Sequence, residues 1–158
     1  MVESKQLVLT QMNCIKGFSV KQYNIFITDK RFVFSYMTKS DKKETERLLN
    51  EKVKGKSFKE RLAIIATHGY ELPNRYNDME ADDILREHEK NFEIKYDDLI
   101  QIKIKRPKTK DSQGYNKQDY LVIKTNQMKL KVSPVNKEVL IRLEEIIGER
   151  VKVPFIIL

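Results

Sequence analysis

Lysine residues alternate with apolar residues in two short segments of this sequence. Lys103 and Lys105 alternate with Ile100, Ile102 and Ile104, and Lys129 and Lys131 alternate with Met128, Leu130 and Val132. Because successive side chains of a β-strand point to opposite faces of a sheet, this spacing predicts two strands with apolar residues on one face and lysines on the other. Ammonium groups gathered on one face would bind anions, including phosphates, nucleic acid, acidic lipid headgroups or an acidic protein.

The polar segment between these two strands supplies further cations. The predicted anion-binding residues are Lys103, Lys105, Arg106, Lys108, Lys110, Lys117, Lys129 and Lys131. Tyr115 or Tyr120 could stack on a base if the anion is a single-stranded nucleic acid. The alternative interpretation is structural, in which lysine is only the solvated half of each strand and protects sheet edges from aggregation.

The excess of positive charge is concentrated in the same region. The chain carries 31 Lys and Arg residues against 23 Asp and Glu residues, a formal charge of +8. Residues 101–131 hold nine basic and two acidic residues, whereas residues 71–98 hold ten acidic and four basic ones. The acidic segment could therefore be an internal partner of the basic one.

Acidic residues after position 77 have a spacing similar to that of a calcium-binding loop. Asp78, Glu80, Asp82 and Glu89 fall at relative positions 1, 3, 5 and 12, but Asp83 stands where such a loop needs glycine. Carboxylates in the first turn of a helix complement its positive end, so we interpret this segment as a helix start. We expect no metal and no cofactor.

The usual catalytic residue types are sparse. Cys14, His68 and His88 have no second histidine or cysteine at ligand spacing, and we interpret all three as structural. The sequence lacks a glycine-rich phosphate loop and a nucleophile elbow. We therefore expect a binding module. A rival hypothesis is an enzyme that uses Asp and Glu residues of 78–98.

The composition indicates a single soluble cytoplasmic domain. Its 158 residues are 40% hydrophobic and 34% charged, without an apolar run long enough for a membrane span. One cysteine cannot form an intramolecular disulfide, and the N-terminus lacks the pattern of a secretory signal.

Strands are predicted at both ends of the chain, with helices between them. The N-terminal part is a three-strand meander, in which Tyr23–Thr28 and Arg31–Met37 form a hairpin around Asp29-Lys30. Three helices follow, of which the first is Ser40–Val53. The second is capped by Ser57 and Glu60, ends at Gly69 and has Phe58, Leu62, Ile65 and Ala66 on one face. The third is capped by Asn77 or Asp78 and carries Met79, Ile84, Leu85 and His88.

The C-terminal part returns to strands and ends in a helix. Strands are predicted at Phe92–Tyr96, Ile100–Lys105, Tyr120–Thr125 and Met128–Val132, with a turn at Asn126-Gln127. Ser133-Pro134 starts an amphipathic helix that ends near Gly148. Val151–Leu158 is an apolar tail, either docked on its own domain or forming a homodimer contact through Phe155, Ile156 and Ile157.

Two passages resemble the pleckstrin-homology-like (PH-like) barrel, especially its bacterial PH-type and GRAM-like branches. Asn24–Phe34 is similar to a "strand, Thr-Asp-x-Arg, strand" hairpin, and Phe92–Ile104 to an "extended, Tyr-x-Asp-Ile, strand" passage. The resemblance covers residues 5–37 and 92–148 and makes residues 41–90 a helical insertion between strands three and four. It implies an α+β fold with an antiparallel β-barrel of about seven strands, a C-terminal helix, and lipid-headgroup or protein binding without catalysis.

Overall fold

A computed structural model shows an α+β architecture and describes residues 3–60, 72–105, 119–133, 135, 137–148 and 155–157. Its strands are β1 Lys5–Lys16, β2 Ser19–Thr28, β3 Arg31–Tyr36, β4 Phe92–Lys95, β5 Leu99–Lys105, β6 Tyr120–Thr125, β7 Lys129–Ser133 and β8 Phe155–Ile157. Its helices are α1 Lys39–Val53, α2 Ala81–Arg86 and α3 Lys137–Ile147, with 3₁₀ helices at Asn74–Asp78 and Tyr96–Asp98.

The strands form one sheet in the order β4-β3-β2-β1-β7-β6-β5-β8. β1 to β4 and β5 to β7 are two antiparallel meanders, which pairing between β1 and β7 joins. This topology, followed by α3, fits a PH-like fold. The seven antiparallel strands β1 to β7 agree with the expected number, and β8 adds to β5 in parallel. The particular branch, and the treatment of the helical residues between β3 and β4 as an insertion, stay predictions.

The two meanders share one apolar core. Ile25 and Phe34 of the first meander belong to the same buried cluster as Ile102 and Ile123 of the second. Leu143, on α3, is also fully buried in this cluster. The sheet therefore bends so that the inner faces of its two halves pack against one core.

The outer face of β2 and β3 is covered as well. Phe26 and Val33 pack there against Tyr76, Ala81 and Ile84, which belong to the 3₁₀ helix and α2. The last six residues of β2 are consequently all buried, with Tyr23, Ile25 and Ile27 in the core and Phe26 beneath the helices. This segment is buried on both sides because the core covers one face, and the 3₁₀ helix and α2 cover the other.

The turn between β2 and β3 lies at Asp29 and Lys30, as predicted. Thr28 Oγ1 accepts hydrogen bonds from the N–H groups of Lys30 and Arg31, each at 3.0 Å. The Arg31 guanidinium then binds Glu3 at 2.8 Å, Asp82 at 2.6 Å, and Glu93. One side chain thereby ties the N-terminus, α2 and β4 to this turn.

The chain enters α1 directly after β3. Thr38 Oγ1 accepts from the Asp41 N–H at 3.1 Å, and the Asp41 carboxylate accepts from the Thr38 N–H at the same distance. Ser57 Oγ likewise accepts from the Glu60 N–H at 3.2 Å, where helical residues begin. Phe58, on the predicted apolar face of this helix, is 77% exposed. Leu62, Ile65, Ala66, His68 and Gly69 lie outside the described residues.

The third predicted helix begins later than expected. Asn77 and Asp78 end the 3₁₀ helix, and the backbone at Met79 is extended before α2 starts at Ala81. The 3₁₀ helix places Tyr76 against Phe26, with ring centroids 5.1 Å apart, and the chain must then turn before it can form α2. His88 follows α2 and does not belong to it.

Smaller differences concern β4, β7 and α3. Tyr96 belongs to a 3₁₀ helix and not to a strand, because its hydroxyl donates to the Thr28 carbonyl at the end of β2. β7 begins at Lys129, since Met128 closes the turn by accepting a hydrogen bond from the Thr125 N–H at 2.9 Å. α3 begins at Lys137, and Pro134 lies outside the described residues. Among the described helices, none combines the length and apolarity that a bilayer crossing requires.

Candidate anion-binding face

Strand pairing brings the lysines of β5, β6 and β7 onto one surface. Lys103 pairs with Val122, which in turn pairs with Lys131, so these three residues form one row across the sheet. Lys124 pairs with Gln101 on one side and with Lys129 on the other. Paired residues share a face, and residues two apart on a strand share it too. We call this outer surface, with Lys103, Lys105, Lys124, Lys129 and Lys131, the basic face.

The opposite side of the same strands is the core. Ile102, Ile104, Leu130 and Val132 are buried there, whereas Lys124, Lys129 and Lys131 are exposed and Lys103 and Lys105 are half-buried. The alternation of residue types in β5 and β7 thus separates the two faces. No helix of the described structure packs on the lysine side in the way that α2 packs on β2 and β3.

The lysines of the basic face influence one another. The pKa of Lys103 is lowered, first by desolvation and then by the positive charges of Lys105, Lys129 and Lys124. In the described part of the chain, no carboxylate forms an ion pair with any lysine of the basic face. An anion would therefore relieve a repulsion that already exists in the folded protein.

Carboxylates of the acidic segment are engaged elsewhere. Arg31 binds Asp82 and Glu93, Arg75 binds Glu87 at 2.6 Å, and Arg86 binds Asp83 at 2.8 Å. Arg75 also binds Asp41 of α1 at 2.6 Å. These ion pairs hold the helices to β3 and to each other, so these carboxylates do not neutralise the basic face.

Sequence reasoning missed one member of this surface, Lys124. It follows Tyr120 and Val122 at two-residue spacing on β6, which was the available signal. Tyr120 lies at the edge of the face, and the Lys131 Nζ stands 5.4 Å from the centroid of its ring. This cation–π contact occupies one side of the ring and couples the aromatic residue to the lysines.

The prediction that Ile100 shares the buried face is wrong. β5 contains a bulge between Leu99 and Gln101, which pair with the consecutive residues Thr125 and Lys124. The extra residue is Ile100, which is 40% exposed, while Leu99 takes the buried position. A bulge shifts the alternation by one residue, and two adjacent apolar residues give no sign of which one points inward.

Half of the predicted anion-binding set lies outside the described residues. The structure brings together Lys103, Lys105, Lys129 and Lys131, whereas Arg106, Lys108, Lys110 and Lys117 fall in the undescribed segment between β5 and β6. Tyr115 falls in the same segment.

The structure gives Cys14 and the acidic residues structural surroundings. Cys14 is buried opposite Val132, and burial raises the pKa of its thiol to about 12. His88 Nδ1 accepts from the Lys90 N–H at 3.0 Å, and its ring lies 5.1 Å from that of Tyr36. Asp82 and Asp83 bind arginines, and within the described ranges no three side chains form a cluster that could hold a metal ion.

The C-terminal tail contributes a strand to its own chain. Phe155, Ile156 and Ile157 pair through their backbones with Ile102, Lys103 and Ile104 of β5. The edge of β5 is thereby occupied within one molecule. A homodimer contact through these three residues stays a prediction.

Comparison with known proteins finds likenesses among solved structures. No protein-family model matches the chain, and no curated protein matches it. Among solved structures, the hSac2 domain from the human phosphoinositide phosphatase Sac2 aligns with a TM-score of 0.49 and 7% identity, over 99% of this chain and 76% of that one. At this level the likeness carries no conclusion about function.

Proposed function

We propose that this chain is a non-catalytic binding module that engages an anionic partner through the basic face. The observation that carries the proposal is the set of five neighbouring lysines on β5, β6 and β7, which make no ion pair with carboxylates in the described structure. An anion that lies across these strands meets several ammonium groups at once, so binding gains from each of them.

The contrast between the two outer faces of the sheet supports the same proposal. The outer face of β2 and β3 carries Phe26 and Val33 and is covered by helices. The outer face of β5 to β7 carries lysines and is left to solvent at Lys124, Lys129 and Lys131. Lysine side chains that the described structure leaves exposed are available to a partner.

The test compares two triple variants with the same change of charge. One replaces Lys103, Lys129 and Lys131 with alanine; the other replaces Lys39, Lys42 and Lys43, which are exposed on α1. Binding to anionic vesicles, to polyglutamate and to single-stranded RNA is measured at low and at high salt. We expect the basic-face variant to lose binding at least about tenfold, and the α1 variant to bind like the unmodified chain.

The three probes also separate the classes of partner. Salt-sensitive binding to RNA, with none to vesicles or polyglutamate, would favour a nucleic-acid-binding protein that uses the same lysines and Tyr120. Absence of binding to all three probes at low salt, or equal losses in both triple variants, would overturn the proposal.

A further inference from the structure

The end of the β1–β2 hairpin projects beyond the rest of the sheet. The last pair between β1 and β7 joins Ile15 to Lys131, and the first pair between β2 and β3 joins Tyr23 to Tyr36. In the described structure residues 16–21 therefore have no strand beside them other than the hairpin's own two, which pair as far as Lys16 and Ser19, and Gln22 accepts a hydrogen bond from the Met37 N–H at 3.0 Å. Gly17, with φ of +61°, makes the turn.

This projection carries apolar side chains that the fold leaves in water. Phe18 is fully exposed and Val20 is 59% exposed, and both lie within three residues of the turn. Lys16 and Lys21, also exposed, flank them. A fully exposed phenylalanine loses the favourable transfer of its ring from water, so its position at a hairpin tip is unfavourable unless a partner covers it.

The apolar tip is continuous with the basic face. Val20 pairs with Ile15, Ile15 pairs with Lys131, and Lys131 continues through Val122 to Lys103. These five residues form one row on this side of the sheet, in which Lys131 and Val20 are exposed, Lys103 and Ile15 are half-buried and Val122 is buried. An object that contacts the lysines from that side therefore also meets Val20 and lies next to Phe18.

We infer that the partner of the basic face is the surface of an anionic lipid bilayer, with Phe18 and Val20 inserted between the headgroups; this rests on the proposed function. Bilayers offer both environments that the row requires: negative charge at the headgroups and an apolar layer just below. The flanking lysines Lys16 and Lys21 extend far enough to keep their ammonium groups at headgroup level while the tip is buried. An acidic peptide or a free phosphate would pair with the lysines but leave Phe18 in water.

The test uses a tryptophan as a reporter, because the chain contains none. Phe18→Trp is mixed with vesicles of phosphatidylcholine alone and with vesicles that also contain phosphatidylserine. We expect a blue shift of tryptophan emission only with the anionic vesicles, and quenching by lipids brominated or spin-labelled in the acyl chain. Phe58→Trp, at a site 77% exposed on the helical segment, is the matched control and should show neither change.

A second pair of variants measures the contribution of the tip to affinity. Phe18→Ser with Val20→Ser should weaken binding to anionic vesicles at least about tenfold and leave binding to polyglutamate unchanged. Phe58→Ser with Ile141→Ser, which also alters two exposed apolar residues, should change neither.

The outcomes separate this inference from the proposed function. Vesicle binding that needs the lysines of the basic face but is unaffected by Phe18→Ser with Val20→Ser, or an emission spectrum at position 18 that vesicles do not change, overturns the membrane inference and leaves the basic face intact. Binding of polyglutamate or RNA without binding of vesicles has the same meaning. Vesicle binding that survives the loss of Lys103, Lys129 and Lys131 overturns the proposed function itself.

Discussion

The thiol of Cys14 is held neutral by its place in the fold. It lies on the inner face of β1 opposite Val132, and burial raises its pKa to about 12. A thiolate is the reactive form of cysteine, so this residue is a packing group at neutral pH. A cysteine can act as a nucleophile, and the burial of this thiol argues against that role.

Burial of Cys14 predicts a loss of stability at alkaline pH. Below the unfolded-state pKa of about 8.5 both states keep the proton, and the contribution of the neutral thiol to stability is complete. Above it the unfolded chain ionises while the folded chain does not until about pH 12, so the free energy of unfolding falls with pH. Urea denaturation between pH 8 and pH 11 should show a shallower fall in Cys14→Ala. Parallel curves for the two proteins would contradict the burial of this thiol.

We expect the free energy of unfolding to depend strongly on Arg31. Its guanidinium is 13% exposed and binds three carboxylates, those of Glu3, Asp82 and Glu93. These bonds raise its own pKa, first through Glu3, and Arg31 in turn lowers the pKa of Asp82. Arg31→Gln removes the guanidinium partner of three neighbouring carboxylates, of which Glu93 keeps Lys95 at 3.9 Å, and should reduce the free energy of unfolding by about 2–3 kcal/mol.

Arg86→Gln is the control for Arg31. Arg86 is 72% exposed and binds only Asp83, three residues away on the same helix. Exposed pairs of this kind contribute about 0.5 kcal/mol or less. Urea denaturation of both variants decides the matter, and equal effects would show that the three-carboxylate cluster does not anchor the N-terminus, α2 and β4.

Among the elements, the strands with one solvated face were the most predictable. Lys129 and Lys131 alternate with Leu130 and Val132, and the structure separates them as the pattern indicates. β2 follows no such alternation, because the helical segment covers its second face. That covering layer is a long-range contact between residues 26 and 84, and no local pattern records it.

The bulge in β5 was not predictable from the sequence, because it too depends on a contact with another strand. Leu99 and Ile100 are both large and aliphatic, so the sequence fits either register, and pairing with Thr125 and Lys124 decides between them. For the same reason the set of basic-face residues was found only in part: Lys124 becomes a member through its cross-strand neighbours Gln101 and Lys129.

β8 makes the two interpretations of the C-terminal tail separable. If residues 155–157 serve as a strand on β5, deletion of 151–158 exposes the edge of β5 at Ile102–Ile104 while its pairing with β6 remains, and such an edge promotes association with other chains. We then expect a monomer that becomes aggregated after deletion, as measured by light scattering after size exclusion. A dimer that becomes a stable monomer after deletion would instead support the contact through Phe155, Ile156 and Ile157.

At the scale of the whole molecule, we expect the lysines of the basic face to lower the free energy of unfolding while they supply the positive charge that binds anions. Lys124 and Lys129 are directly opposite each other on β6 and β7, and like charges in that position are unfavourable. Lys129→Glu replaces this repulsion with an attraction and should raise the free energy of unfolding by about 0.5–1 kcal/mol. The same change should weaken binding to anionic vesicles.

Two measurements on one variant check this prediction. Urea denaturation reports stability, and vesicle co-sedimentation reports binding, each compared with Lys42→Glu on α1 as a control of equal charge. A less stable Lys129→Glu protein that binds vesicles as before would show that the lysines are simply the solvated half of their strands.

α2, which covers β2 and β3, carries acidic residues in its first turn, Asp82 and Asp83, whereas the lysines of the basic face lie on β5 to β7 in the other half of the sheet. Charges of opposite sign that are separated in this way contribute to an electric dipole moment of the protein. Near a negatively charged surface, the electric field of that surface exerts a torque on the dipole. The torque turns the lysines of β5 to β7 toward the surface before contact. Encounters would then begin in the productive orientation, and the rate of capture would depend on the asymmetry of charge as well as on its sum.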